Sequence, residues 1–130
     1  MGKINGLAEI VLWVSDMGKS VAFYRDVLGL EVISPPENTS PIFLQAGERH
    51  AGIPDLVVLV QRPPGIAAPA KPNALHHIAL EISPADFDGE FQRLSDLGFE
   101  VRTGQHPIIP SRTMYVDDPD GNEVEIICEA

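Results

Sequence analysis

Cysteine is almost absent from this chain: Cys128 is the single one among 130 residues. One cysteine forms no internal disulfide, so the fold rests on its core rather than on covalent staples, and a reducing cytoplasm suits it. Its place in the last apolar stretch reads as a small buried hydrophobe. Basic residues are scarce too, with 9 Lys and Arg against 19 Asp and Glu for a formal net charge of −10. Binding a phosphate backbone calls for clustered cations, and their lack here excludes a nucleic-acid partner. No apolar run approaches the roughly 18 residues of a membrane span. The N-terminus lacks the basic-then-apolar pattern of a secretory signal. The expectation is a cytoplasmic protein with no membrane partner. What remains is a 44% hydrophobic composition. At this length it describes one domain, or two half-domains sharing a core.

The chain repeats itself. Glu9-Ile10-Val11-Leu12-Trp13-Val14-Ser15 aligns with His77-Ile78-Ala79-Leu80-Glu81-Ile82-Ser83 at an offset of 68. The same offset brings Phe23 onto Phe91 and Arg25 onto Arg93. One inserted residue then aligns Leu28-Gly29-Leu30-Glu31-Val32 with Leu97-Gly98-Phe99-Glu100-Val101. Two similar halves predict two similar modules related by a pseudo-twofold axis. Two long repeats do not suit a solenoid of many short units. Glu9 and His77 occupy equivalent positions, and both side chains are able to ligate a metal.

Hydrophobic periodicity gives each half the same order. Residues 7–14 alternate as a strand, and Ser15-Asp16 supplies caps for a helix over 17–28 that Gly29 stops. Strands follow at 30–33, 42–46 and 56–61, the last two separated by a loop holding Gly47, His50, Gly52 and Pro54. Residues 63–74 contain Pro63, Pro64, Pro69 and Pro72 without periodicity and read as a connector. The second half repeats with a strand at 75–82, a helix at 85–97, and strands at 99–102, 112–116 and 123–128. A dense turn signal, Asp117 to Asn122, joins the final pair. The expected class is α+β. Two tandem βαβββ modules, 1–62 and 75–130, form a curved, half-barrel-like mixed sheet with helices outside.

Strand parity separates chemistry from packing. Ile78, Leu80 and Ile82 point one way, and His77, Ala79 and Glu81 the other. Val124, Ile126 and Cys128 oppose Glu123, Glu125 and Ile127, while Met114 and Val116 oppose Thr113, Tyr115 and Asp117. Aliphatic faces suit helices; the opposite faces carry groups able to do chemistry. By the same parity, His76 is expected to point away from a site that His77 faces.

This βαβββ duplication carries Val14-Ser15-Asp16, Phe23-Tyr24-Arg25-Asp26-Val27-Leu28-Gly29-Leu30, His77-Ile78-Ala79-Leu80 and Asp118-Pro119-Asp120-Gly121-Asn122-Glu123-Val124-Glu125. In these motifs the chain resembles the vicinal oxygen chelate superfamily, which includes glyoxalase I, methylmalonyl-CoA epimerase, fosfomycin and bleomycin resistance proteins, and extradiol dioxygenases. The resemblance spans essentially the whole chain. It implies metal ligands at Glu9, His77 and Glu125. The position one repeat before Glu125 falls near Val57 and offers no ligand, unlike the four-ligand sites of glyoxalase I and the epimerase. Three ligands with open positions resemble extradiol dioxygenases, although those use two histidines and Glu9 replaces the first.

The resemblance further implies catalytic roles for His106, which would move protons, and Tyr115, whose hydroxyl would donate to an oxygen. The ligand set implies a divalent metal, Fe(II) or Mn(II) by preference, with Zn(II) and Ni(II) admitted. The leading expectation is an enzyme like an extradiol ring-cleavage dioxygenase, acting on a small molecule with adjacent oxygens. The alternatives are a glyoxalase I-like isomerase, lyase or epimerase with Glu9 as base, and a metal-free binding protein of the bleomycin-resistance kind with Trp13 and Phe43 lining its pocket. Small members of the superfamily are often homodimers, so a homodimer is expected. Asp118 and Asp120 read as turn formers, His50 as a solvent-facing loop residue, and Arg112 as a salt-bridge partner or a contact for an anion.

Overall fold

A computed structural model describes residues 3, 7–50, 53–65 and 75–130 of the chain. Most of the expected connector, positions 66–74, lies outside the described residues. The chain divides into two compact units, Met1–Ala67 and Ala68–Ala130. The first holds β1 (Glu9–Val14), α1 (Met17–Val21), β2 (Glu31–Val32), β3 (Ile42–His50) and β4 (Ile53–Gln61). The second holds β5 (Ile78–Glu81), α2 (Phe87–Asp96), β6 (Arg102–Gly104), β7 (Ser111–Asp117) and β8 (Glu123–Glu129). Both are βαβββ, as expected of an α+β chain. Each makes a four-stranded mixed sheet, ordered β1-β4-β3-β2 in one and β5-β8-β7-β6 in the other.

In both units the first strand runs parallel to the last, and the remaining pairs are antiparallel. Parallel neighbours cannot be joined by a tight turn, so the helix and two further strands intervene. The cores follow the parity. Leu12, Val14, Leu44 and Leu59 are buried in the first sheet with Phe23 and Tyr24, and α1 lies against β4. In the second sheet Met114, Val116, Val124, Ile126 and Cys128 are buried with Phe87 and Leu94. The Arg112 guanidinium lies 4.3 Å from the Phe87 ring centroid and bonds Asp88 Oδ1 at 2.6 Å, so α2 covers the Met114 face. Arg112 therefore serves helix docking, on the face opposite His77 and Glu125.

Several elements depart from expectation for local reasons. Asp16 caps α1 by accepting from Lys19 N–H at 3.1 Å, but regular α geometry ends at Val21. Residues Ala22–Val27 continue with wider π turns, in which Leu28 N–H bonds the Phe23 carbonyl five residues back at 3.0 Å. Neighbouring Phe23 and Tyr24 are both buried there, edge-on with centroids 5.0 Å apart. Strand β3 runs past the expected 46 to His50, which is thus a strand residue rather than a loop residue. A register shift between Gln45 and Arg49 absorbs Gly47 into the strand, where an added Cβ would sit 2.7 Å from Asp55 Oδ2. A bulge at a glycine hides a strand continuation as a loop.

In the second unit, a 3₁₀ turn at Pro84–Asp86 precedes α2. Strand β6 begins at Arg102, three residues later than expected, because 97–99 still close the helix. Leu97 N–H bonds Arg93 O, Gly98 N–H bonds Ser95 O at φ +94, and Phe99 N–H bonds Leu94 O, a glycine-centred helix end. At the β7–β8 turn, the buried Asp118 carboxylate accepts from Asp120 N–H (2.9 Å), Asn122 N–H (2.8 Å) and Asn122 Nδ2 (2.9 Å). This confirms a turn former. Replacing Asp118 with Ala leaves those donors without their acceptor and should cost about 1–3 kcal/mol. Urea unfolding measures it, and a midpoint matching the wild type would contradict this account of the turn.

Candidate metal centre

Because β5 and β7 both flank β8, one register row runs Ala79, Glu125, Tyr115 across the second sheet. His77 precedes Ala79 by two residues, at the mouth of β5. It approaches Glu125 directly, with Nε2 3.1 Å from Oε1. The Tyr115 ring stands edge-on to His77, centroids 6.3 Å apart. Gly104 on β6 makes room for that ring, since an added Cβ would lie 2.7 Å from Tyr115 Cε2. Three residues picked from sequence, His77, Tyr115 and Glu125, thus meet on one face.

Glu125 is 3% exposed, and its Oε2 is buried with no hydrogen-bond partner among the described residues. A carboxylate in that state has unmet capacity as an acceptor, which is costly unless a cation or donor fills it. The other buried side-chain oxygen so placed among the described residues is Thr113 Oγ1. Thr113 pairs with Ile127 and so lies diagonal to Glu125 on the same face. Parity placed Thr113 there, but nothing in its residue type marked it as a site residue.

The donor chemistry fits a divalent metal. Two ligand atoms each about 2.1 Å from one ion, at angles near 90–110°, lie roughly 3.0–3.4 Å apart, and His77 Nε2 and Glu125 Oε1 match that spacing. A second grouping also forms: His76, His77 and Glu123 each offer a ligand atom, all within 4.8 Å of one another. His76 and Glu123 were not expected here. His76 Nδ1 lies 2.8 Å from His77 Nδ1, so the two histidines converge instead of diverging. The reason is that β5 begins at Ile78, after both of them, and alternation does not govern the bend before it.

Glu123 also belongs to an ion-pair group at the edge of this face. Arg102 Nη2 bonds Asp117 Oδ1 at 2.7 Å and Glu123 Oε2 at 3.2 Å, tying β6, β7 and β8 together. Hydrogen bonding to Asp117 is the main influence raising the Arg102 pKa, with burial opposing it and Glu123 adding to it. His106 sits between β6 and β7, where its Nδ1 accepts from the N–H groups of Ile108 (3.1 Å) and Ile109 (2.9 Å). The proton of the neutral ring is therefore on Nε2. Among the described residues His106 has no bond to His77, Tyr115 or Glu125. Glu9 stands exposed on β1 of the first unit, opposite Leu56.

Strand register also identifies the counterpart of Glu125 in the first unit. Glu125 pairs with Ala79, the counterpart of Val11, and Val11 pairs with Val58 rather than Val57. Tyr115 corresponds in the same way to Phe43, which pairs with Val58. The offset is 68 at the first strands and 67 at the last, so one residue of loop length accounts for the shift. Neither valine is a ligand. Val57 lies on the face of Leu44 in the core.

A family model described as the Glyoxalase/Bleomycin resistance protein/Dioxygenase superfamily matches residues 6–126, and the chain belongs to that superfamily. Among its relatives, a biphenyl-2,3-diol 1,2-dioxygenase of Metapseudomonas furukawaii is 33% identical over 130 residues, covering 93% of this chain and 39% of the relative. The chain thus spans about two fifths of three of the dioxygenases it matches, and 61% of a fourth. A lactoylglutathione lyase of Salmonella typhimurium is 30% identical over 127 residues, covering 93% of this chain and 90% of that protein. The metallothiol transferase FosB of Staphylococcus haemolyticus is 27% identical over 124 residues, covering 95% and 83%. A solved glyoxalase/dioxygenase from Nostoc punctiforme shares the fold, with a TM-score of 0.76 at 23% identity over 99% of this chain and 94% of that one. No helix among the described residues is long and apolar enough to cross a membrane.

The orphaned Oε2 makes a stability prediction independent of activity. In chelator-treated protein, the double variant His77→Phe/Glu125→Met replaces both partners of the 3.1 Å contact, and the half-satisfied carboxylate with them, by apolar side chains. It should stabilise the fold by about 1–3 kcal/mol. Urea midpoints measure this, and a destabilised double variant would contradict the claim that Oε2 lacks a partner.

Proposed function

We propose that this chain is a metal-dependent enzyme acting on a small molecule with two adjacent oxygens, most like an extradiol ring-cleavage dioxygenase. The observation that carries the reading is the buried Glu125 carboxylate, with one oxygen 3.1 Å from His77 Nε2 and the other without a partner. His77 and Glu125 would hold a divalent ion, with Fe(II) or Mn(II) preferred for one nitrogen and oxygen donors. Glu9 is carried as the third ligand on the superfamily resemblance alone. When bound, the metal supplies Lewis acidity toward chelated substrate oxygens. Val58, in the place of a fourth ligand, supports a site with open positions.

The other residues have roles of their own. Tyr115, held between His77 and Gly104, offers a phenolic O–H to a substrate oxygen. His106, with Nδ1 accepting from the Ile108 and Ile109 N–H groups, presents an Nε2–H able to donate a hydrogen bond to a substrate oxygen, and it would take up a proton only at Nδ1 once those backbone bonds open. The identity to biphenyl-diol dioxygenases supports an aromatic diol as substrate. A second reading, a binding protein for a planar compound, draws on Val11 and Trp13, both more than half exposed on β1.

Purified protein loaded anaerobically with Fe(II) and given catechols with oxygen should form a coloured, ring-opened product. His77→Ala and Glu125→Ala should each weaken metal binding by at least about 100-fold, and Tyr115→Phe should slow turnover by about 10–100-fold with the metal retained. Wild-type protein that binds no divalent metal at micromolar concentration overturns the enzyme reading and leaves the binding protein. Metal binding with no ring opening points to the isomerase or lyase branch.

A further inference from the structure

His76 is exposed and follows no superfamily pattern named above, yet its polar contact with His77 is shorter than the one His77 makes with Glu125. The two Nδ1 atoms are 2.8 Å apart, and the rings meet edge-on with centroids 5.0 Å apart. Two imidazole nitrogens at that distance share one proton: one ring donates and the other accepts. The tautomer of either ring then dictates that of the other. His77 is engaged at both nitrogens, since Nε2 faces Glu125 Oε1 at 3.1 Å. Three groups are thereby linked in a line, Glu125, His77 and His76, and the protons in that line admit two arrangements.

We infer that His76 is a positioning residue that sets the His77 tautomer, and that both rings exchange tautomers when a metal enters beside Glu125. This rests on the metal reading above. Without metal, His77 donates Nε2–H to Glu125, so its Nδ1 is an acceptor and the shared proton belongs to His76 Nδ1. A metal on Nε2 needs that lone pair. The neutral His77 ring then carries its proton on Nδ1 and donates it to His76 Nδ1, whose own proton moves to Nε2 on the solvent side. Each ring keeps one proton throughout, so the pair exchanges protons with water and loses none. In the metal state His76 thus accepts from the ligand's distal N–H, an arrangement that orients a metal-bound imidazole and strengthens its basicity.

The tautomers are read directly by ¹⁵N–¹H long-range correlation spectra of the histidine rings, in chelator-treated protein and after loading with diamagnetic Zn(II). The expected result is His77 Nε2–H with His76 Nδ1–H before loading, and His77 Nδ1–H with His76 Nε2–H after it. His76→Ala should weaken Zn(II) binding by about 10–100-fold. His76→Asn, whose side-chain amide reaches a similar position and both donates and accepts, should restore most of that loss. Because His76 is exposed, neither variant threatens folding. Zn(II) binding with no tautomer change, or with His76→Ala as tight as wild type, overturns this inference and leaves the metal reading standing. Zn(II) coordinated through His77 Nδ1 overturns it in favour of the His76, His77 and Glu123 grouping as the ligand set. Wild-type protein that takes up no Zn(II) overturns both.

Discussion

The parallel pairing of each unit's first strand with its last is the constraint from which the remaining features follow. It brings residues nearly fifty positions apart side by side: Ala79 beside Glu125, and Val11 beside Val58. The central position of β8 then places Tyr115 on the other flank of Glu125. No local feature produces this row. It needs the crossover through α2, and the apolar residues of the Met114 face hold that helix down. Each buried Leu or Val on that face contributes about 1.5–3 kcal/mol, and this packing is what allows the opposite face to carry a buried carboxylate that does little for stability.

The two units use one architecture for different surfaces. In the second, the row opposite the helix reads His77, Glu125, Tyr115 and Thr113, with Arg102, Asp117 and Glu123 at its edge. In the first, the matching positions are Glu9, Val58 and Phe43, with Val11 and Trp13 exposed nearby. Duplication with divergence lets one copy concentrate the polar chemistry while the other presents apolar surface. The superfamily to which the chain belongs includes relatives named as a biphenyl-diol dioxygenase, a metallothiol transferase and a lactoylglutathione lyase, so activity on this fold turns on the side chains and not on the sheet that bears them.

Much of this was legible in the residues. Alternation named the faces of β7 and β8 correctly, and the repeat predicted two βαβββ units in the observed order. The limits were physical. Gly47 looked like a loop because a bulge accommodates a residue that regular strands disfavour. Residues 99–101 read as a strand because Phe99 and Val101 alternate with Glu100, but the backbone bonds of 97–99 still complete the helix end. The counterpart of Glu125 reads as Val57 by repeat offset but is Val58 by strand register, because the offset ignores loop length and hydrogen-bond register does not. His76 turns toward His77, against alternation, because β5 begins only at Ile78. The ion pairs of Glu123 and the buried oxygen of Thr113 depend on contacts across strands, which a linear pattern does not contain.

The central claim is that His77 and Glu125 form the heart of a metal site. The most direct measurement is an anomalous-difference map from crystals grown with Mn(II) or Zn(II), recorded on both sides of the metal's absorption edge. The account predicts a peak within about 2.3 Å of both His77 Nε2 and a Glu125 carboxylate oxygen. A map with no peak there, or with its only peak away from Glu125, would contradict it.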